Sequence, residues 1–178
     1  MGDFINDNVK HLLCALILLG RLGDIGSTFL VTPTLKLEAN LLVRRLGWRF
    51  ALLSLLLCLV PYVHAHAAAL VLVPSLMVSA SNIGKAWIMR TYGEAQYAEL
   101  LVQVARRSKL SHALLALFGS CFFVALTGVV LALLSSAGGE RWGCWFGMGL
   151  VVYASAIALH GSLWFRRLFR TARLQATP

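Results

Sequence analysis

Five apolar runs, separated by short polar or charged stretches, dominate the chain. Residues 11–33, 48–63, 67–88, 110–136 and 142–165 each carry most of the roughly 20 residues that a helix needs to cross a bilayer core. Between the first two runs, residues 35–47 are too short and too charged to span. Leu37, Leu41 and Leu42 nevertheless fall at amphipathic spacing, which predicts a short interfacial helix. The third run carries a polar stripe, Ser75, Ser79, Asn82 and Ala86, with Lys85 beside it. Thr91 to Lys109 reads as a solvated helical extension with Glu94, Glu99, Arg106 and Arg107. The fourth run holds small residues, Gly119, Ser120 and Gly128, that suit close helix contact. Trp48, Trp142, Trp145 and Trp164 stand at run ends, where indoles anchor to the interface.

Composition agrees with this pattern. The 178 residues are 59% apolar and 13% charged, and the mean hydropathy is +0.78. The expected fold is an all-α integral membrane protein, a five-helix transmembrane bundle in a single domain over residues 1–178. The strands of an outer-membrane barrel would alternate in shorter segments. A net charge of +9 would suggest nucleic acid in a soluble protein. Here the cations cluster at run ends, so the expected partner is the lipid bilayer rather than nucleic acid.

Lys36, Arg44, Arg45 and Arg49 lie between runs one and two, and Arg90, Arg106, Arg107 and Lys109 between runs three and four. Arg166, Arg167, Arg170 and Arg173 follow run five, whereas the alternate side holds Lys10 and Arg141. The positive-inside rule then predicts an inner (plasma) membrane protein with its N-terminus outside and its C-terminus cytoplasmic. The acidic start, Asp3 and Asp7 ahead of Lys10, is unlike a cleaved signal peptide, and Asn6 breaks the myristoylation pattern. Cys14, Cys58, Cys121 and Cys144 include no C-x-x-C pair and read as packing residues, with a Cys14 to Cys144 bridge at the outer surface as the alternative.

The candidate chemistry starts in the first run, at Arg21-Leu-Gly-Asp24-Ile-Gly-Ser27-Thr28. Arg21, Asp24 and Thr28 share a helix face, with Ser27 beside it. Ionisable groups at membrane depth turn toward a bundle interior or a wet cavity and find partners there. In the predicted topology Asp24, Asn82 and His160 reach similar depth, past the midplane toward the cytosol. Lys85 and Thr28 lie a turn deeper, and Glu38 and Asn40 follow the end of the first run. Arg21, Asp24, Ser27, Thr28, Glu38, Asn40, Asn82, Lys85 and His160 are therefore expected to form one cytosol-facing polar cluster.

The motif D-x-x-S-T (Asp24, Ser27, Thr28), E-x-N (Glu38, Asn40) and a downstream N-x-x-K (Asn82, Lys85) resembles an uncharacterised family of small prokaryotic membrane proteins. In that family Pro follows the E-x-N, where this chain has Leu41. The resemblance covers about the first half of the chain. It implies a functional cluster but no particular chemistry.

Each sharp reading has a plainer rival. Arg21 and Asp24 are either a ligand, ion or proton site or an ion pair that fixes helix packing. Lys85 either pairs with Asp24 or Glu38 or extends its ammonium to the headgroups. Asp24, Glu38, Asn40 and His160 offer metal-ligand atoms without metal-site spacing. Ser27 or Thr28 with His160 as base lacks the G-x-S-x-G context of a nucleophile. Ala156-x-x-x-His160-x-x-x-Trp164 resembles the pigment-ligating segment of antenna polypeptides, a short pattern that chance also produces. His64 and His66 are metal or haem ligands or interfacial polar residues, and His11 and His112 take the interfacial reading.

The function expected first is small-molecule or ion binding or transport at this cluster, and the alternative, second, is a non-catalytic structural or accessory subunit of a larger membrane complex. In the second, other subunits or a second copy are the partners. Catalysis ranks third, and no cofactor is specified. The first class predicts a hydrated cavity at the cluster, the second a cluster whose groups satisfy one another.

Overall fold

The computed structural model describes residues 6–175, and these are helical almost throughout, without strands. Helix α1 (Asp7–Val31) opens at Asn6, whose side chain accepts the Asn8 amide. After a turn and the short α2 (Leu41–Leu46), residues Trp48–Val63 form α3 (Trp48–Leu53), a 3-10 stretch (Ser54–Leu59) and α4 (Val60–Val63). The expected turn at residues 64–66 is present as a 3-10 turn, Ala65–Ala67. Helix α5 (Ala68–Arg107), α6 (Leu110–Ala137) and α7 (Arg141–Leu174) complete the chain.

Four of these helices are long and apolar enough to cross a membrane: α1, α5, α6 and α7. At 40 residues α5 would measure about 60 Å, twice a bilayer core. It is broken at Gly93, whose φ of 71° and ψ of 164° are open to glycine and strained for other residues. The break separates the apolar part from the charged extension, as the pattern of residues predicts.

The second apolar run differs from a plain helix. It lies antiparallel to α1, with Tyr62 beside His11 (2.6 Å between hydroxyl and Nδ1), Ser54 beside Arg21, and the Trp48 and Phe29 rings 5.5 Å apart. A 16-residue stretch would fall short of that distance as α-helix. Its six 3-10 residues rise about 2.0 Å each instead of about 1.5 Å, so the stretch reaches about 27 Å, close to a bilayer core. The interfacial helix is also shorter than the predicted 35–47, because residues 32–40 are held as a turn.

Helices pack in a row rather than around a centre. The Trp48–Val63 stretch lies against α1, α1 against α5, α5 against α7, and α7 against α6. A helix inside such a row buries two opposite faces. In α5, Val73 and Ser75, about 200° apart on the helical wheel, are both buried, the first toward α7 and the second toward α1. At the edge, α6 leaves Leu115, Phe118, Phe122, Phe123, Leu133 and Leu134 exposed.

Small residues set the closest approaches. A methyl built on Gly128 would stand 2.5 Å from the Gly147 carbonyl oxygen, and one on Gly147 would overlap the Gly128 carbonyl. Gly143 and Gly147, four residues apart, present a small-x-x-x-small edge to α6. Of the residues expected to permit close packing, Gly128 does so, whereas a side chain at Gly119 would meet nothing within 4 Å. We expect Gly147→Ala to destabilise the protein by about 1–3 kcal/mol through overpacking, and Gly119→Ala to leave its melting temperature unchanged or slightly raised. Equal effects in detergent would contradict this α6 to α7 contact.

The antiparallel register also settles the cysteines. Cys14, one turn past His11, meets Cys58, one turn before Tyr62, and both are free thiols. Cys144 is on α7, which packs on α5 rather than on α1, and all four cysteines are free, so the alternative of a Cys14 to Cys144 bridge is not formed. Mild oxidation should produce a Cys14 to Cys58 crosslink in peptide mapping. Cys14→Ser and Cys58→Ser should each abolish it, and Cys144→Ser should not.

Candidate functional site

The buried face of α1 is Ile17, Gly20, Ser27 and Val31, and Arg21 and Asp24 lie alongside it at i, i+3 spacing. Without side chains at Gly20 and Gly23, α5 can come close enough for Ser75 and Ser79 to enter the seam. Arg21 and Asp24 form an ion pair in which both side chains are mostly covered, at 17% and 16% exposure.

Arg21 also ties three elements together. Its Nη1 donates to Ser75 Oγ of α5 at 3.4 Å as well as to Asp24, and its Nη2 donates to Ser54 Oγ of the 3-10 stretch. Each serine hydroxyl donates in turn to a carbonyl of its own helix, Val71 for Ser75 and Ala51 for Ser54, which leaves its lone pairs for the guanidinium. Arg21 Nε is buried without a partner among the described residues.

One turn further along, Asn82 Nδ2 donates to Thr28 Oγ1 at 3.0 Å and Ser27 Oγ at 3.3 Å, and Ser27 Oγ donates to the Asp24 carbonyl. Five of the nine expected residues, Arg21, Asp24, Ser27, Thr28 and Asn82, thus form one connected seam, joined by Ser54 and Ser75.

The other four are placed differently. Glu38 accepts the Asn40 amide at 2.6 Å, and Asn40 Oδ1 accepts the Leu42 amide at 2.9 Å, so Asn40 serves as the N-cap of α2. Burial raises the Glu38 carboxyl above the usual range. The Asn40 amide opposes that shift, the nearby Asp24 charge adds to it, and the Ala39 amide and Lys85 oppose it.

Lys85 is exposed and makes no ion pair within 4 Å among the described residues. It does not contact Asp24 as expected, because Arg21 on the same helix already occupies that carboxylate. His160 belongs to α7, on the far side of α5; among the described residues no hydrogen bond joins it to the seam, and its Nδ1 is buried without a partner. Among the described residues no three His, Cys, Asp or Glu side chains converge as a metal site, so Asp24, Glu38 and His160 are not assembled into one. His64 and His66 instead stack on Trp145 and Trp142, with ring centroids 5.0 and 4.6 Å apart.

The sequence reading missed Glu94. Immediately past Gly93, and outside the stretch of α5 that can span, its carboxylate is wrapped by the turn that follows α1. Oε1 accepts from the Thr32 hydroxyl and the Lys36 amide (3.1 Å), and Oε2 from the Thr34 hydroxyl (2.8 Å) and amide (3.1 Å). Trp48 Nε1 holds the same turn through the Pro33 carbonyl at 3.2 Å. Thr32-Pro33-Thr34, at the end of the first apolar run, carries no local sign of this contact. A partner about sixty residues away leaves no local pattern.

Partial burial works to raise the Glu94 carboxyl, but the Thr32, Thr34 and Lys36 donors outweigh it and hold the group below the usual carboxylate range. A depressed folded-state pKa means that the latch is at full strength above the ordinary Glu range. It is lost as pH falls through the lowered value.

No known protein family, characterised protein or solved structure matches this chain.

We expect the Thr34 and Lys36 amides, corrected for intrinsic exchange, to be protected at neutral pH and to lose protection in acid below the usual carboxylate range. Glu94→Gln should reduce the neutral-pH protection about 10- to 100-fold, the value of one charge-assisted hydrogen bond. Protection independent of both pH and this substitution would remove the latch.

Proposed function

We propose that this chain is a five-span inner-membrane protein, N-terminus outside and C-terminus cytoplasmic, serving as a non-catalytic subunit of a larger membrane assembly. One observation carries the choice of class: apart from Arg21 Nε, the seam's groups bond to one another, with Arg21 bound to Asp24, Ser54 and Ser75, and Asn82 bound to Ser27 and Thr28. Polar groups so engaged pin α1, α5 and the 3-10 stretch in register. The row of helices supports the same reading, because it offers broad apolar faces to lipid or partners rather than a ring around a path. The stretched second run supports a fifth crossing beside the four long helices.

A second reading, small-molecule or ion binding, is favoured by the cytoplasmic mouth of the seam. There Glu38 lies within electrostatic reach of both Asp24 and Lys85, and Lys85 is exposed. The proposed kinship with the D-x-x-S-T family rests on the same residues.

Asp24→Asn separates the two readings. If the pair is a structural pin, the substitution leaves Arg21 uncompensated and should cost about 3–5 kcal/mol, with Arg21→Met restoring much of it in the double variant. If the seam binds a ligand, Asp24→Asn should leave abundance and melting near wild type and abolish the phenotype of the intact protein. Restored stability together with restored phenotype in the double variant would eliminate the binding reading. Cysteines at positions 64–66 should label only from outside and those at 94–108 only from the cytosol; the reverse would overturn the topology.

A further inference from the structure

Where α1 lies against the Trp48–Val63 stretch, a second group of side chains stands outward of Arg21 and takes no part in the role proposed above. Two contacts fix the register there: His11 Nδ1 is 2.6 Å from the Tyr62 hydroxyl, and Arg21 Nη2 donates to Ser54 Oγ. Cys14 falls between His11 and Arg21, and Cys58 between Ser54 and Tyr62. Antiparallel elements held at both points bring the two cysteines level, and they are neighbours. Tyr62 lies close to both.

Both cysteines are free thiols, and both are only partly buried, so a small solute has access to them. His11 and Cys14 share a face of α1 at i, i+3 spacing. Tyr62 follows Cys58 by four residues. The contact of imidazole and phenol therefore lies one turn outward of the sulfurs and holds the two backbones together at that level. In the proposed topology this level is the outer end of the first two spans.

Sulfur is a soft donor. Thiolates select soft cations such as Cu(I), whereas calcium and magnesium take oxygen ligands and structural zinc takes four ligands. Cu(I) is a closed-shell ion that is stable between two thiolates in line, so a pair of facing cysteines supplies its full ligand set. Binding breaks two S–H bonds and forms two S–Cu bonds. The two protons leave to water, no electron moves, and copper stays Cu(I). The product carries one net negative charge, a cost that is smaller at the end of a span than at its centre.

We propose that Cys14 and Cys58 form a two-coordinate Cu(I) site between α1 and the Trp48–Val63 stretch, with the His11 to Tyr62 contact positioning the two sulfurs. The inference goes beyond the subunit reading and is independent of the role of the Arg21 to Asp24 seam. The proposed topology bears only on the side from which copper enters.

The test uses the full-length protein in detergent, reduced and free of oxygen, with Cu(I) delivered as its bicinchoninate complex. A single copper per chain should be withdrawn from the chelator and retained in native mass spectrometry, and X-ray absorption should show two sulfur neighbours. Cys14→Ser and Cys58→Ser should each abolish retention, whereas Cys121→Ser and Cys144→Ser should leave it unchanged. Tyr62→Phe removes the contact with His11 and no ligand. It should weaken the site about 10-fold, the lower end of what groups behind the ligands contribute to metal affinity, with the two-sulfur spectrum intact. Zinc should not be retained in place of Cu(I).

A reduced protein that leaves all copper with the chelator overturns the proposal, and so does copper ligated by nitrogen or oxygen, or equal retention of zinc. Copper kept by a folded Cys14→Ser or Cys58→Ser variant overturns it too. Melting temperatures report whether each variant folds, and where one does not, the absorption spectrum of the wild-type copper complex decides.

Discussion

The charge pair of Arg21 and Asp24 constrains the rest of this structure more than any other interaction. In the membrane setting proposed for this chain, a lone charge at the centre of a helix costs about 2.5–3.5 kcal/mol even on insertion scales, which favours enclosing the pair with groups that hydrogen-bond to it. Ser75 and Ser54 meet that demand, and they fix α5 and the 3-10 stretch on two sides of α1. Asn82 extends the seam by a turn through Ser27 and Thr28. The positions of three elements thus follow from the need to solvate one guanidinium with protein atoms.

Elsewhere the helices associate with little help from charge. Lipid tails are as apolar as leucine, so helix contact in a membrane depends on close packing, and close packing depends on small residues. Gly128, Gly143 and Gly147 bring α6 and α7 into near backbone contact, and Gly149 admits the Ala69 carbonyl and Val73 of α5. The two halves of the row therefore use different physics. A polar seam holds α1 to α5, and glycine surfaces hold α7 to its neighbours.

The ends of the row are governed by charge in contact with water. Glu94 collects four donors from the turn after α1 and keeps the break at Gly93 next to that turn. At the end of α7, Arg166, Arg170 and Arg173 stand beside an apolar cluster of Ala105, Phe169 and Ala172.

The sequence alone determined what depends on local composition and periodicity. The all-helical class, four of the five expected spans as long apolar helices, the turn at 64–66, the charged extension after the third run and the shared face of Arg21, Asp24 and Thr28 were legible. Each rests on neighbours three to seven residues apart or on the mean polarity of a window. The tertiary structure decided which face met which. The 3-10 winding of Ser54–Leu59, beside α1, and the antiparallel register that brings Cys14 next to Cys58 appear only in the folded chain. Placing His160 at a similar depth to Asp24 could not reveal that α5 stands between them, because depth along the membrane normal says nothing about order within its plane. Lys85 was available to Asp24 by spacing, but a nearer arginine had taken the carboxylate. Glu94 and the turn it holds are some sixty residues apart, and only the folded chain brings such distant donors and acceptors together.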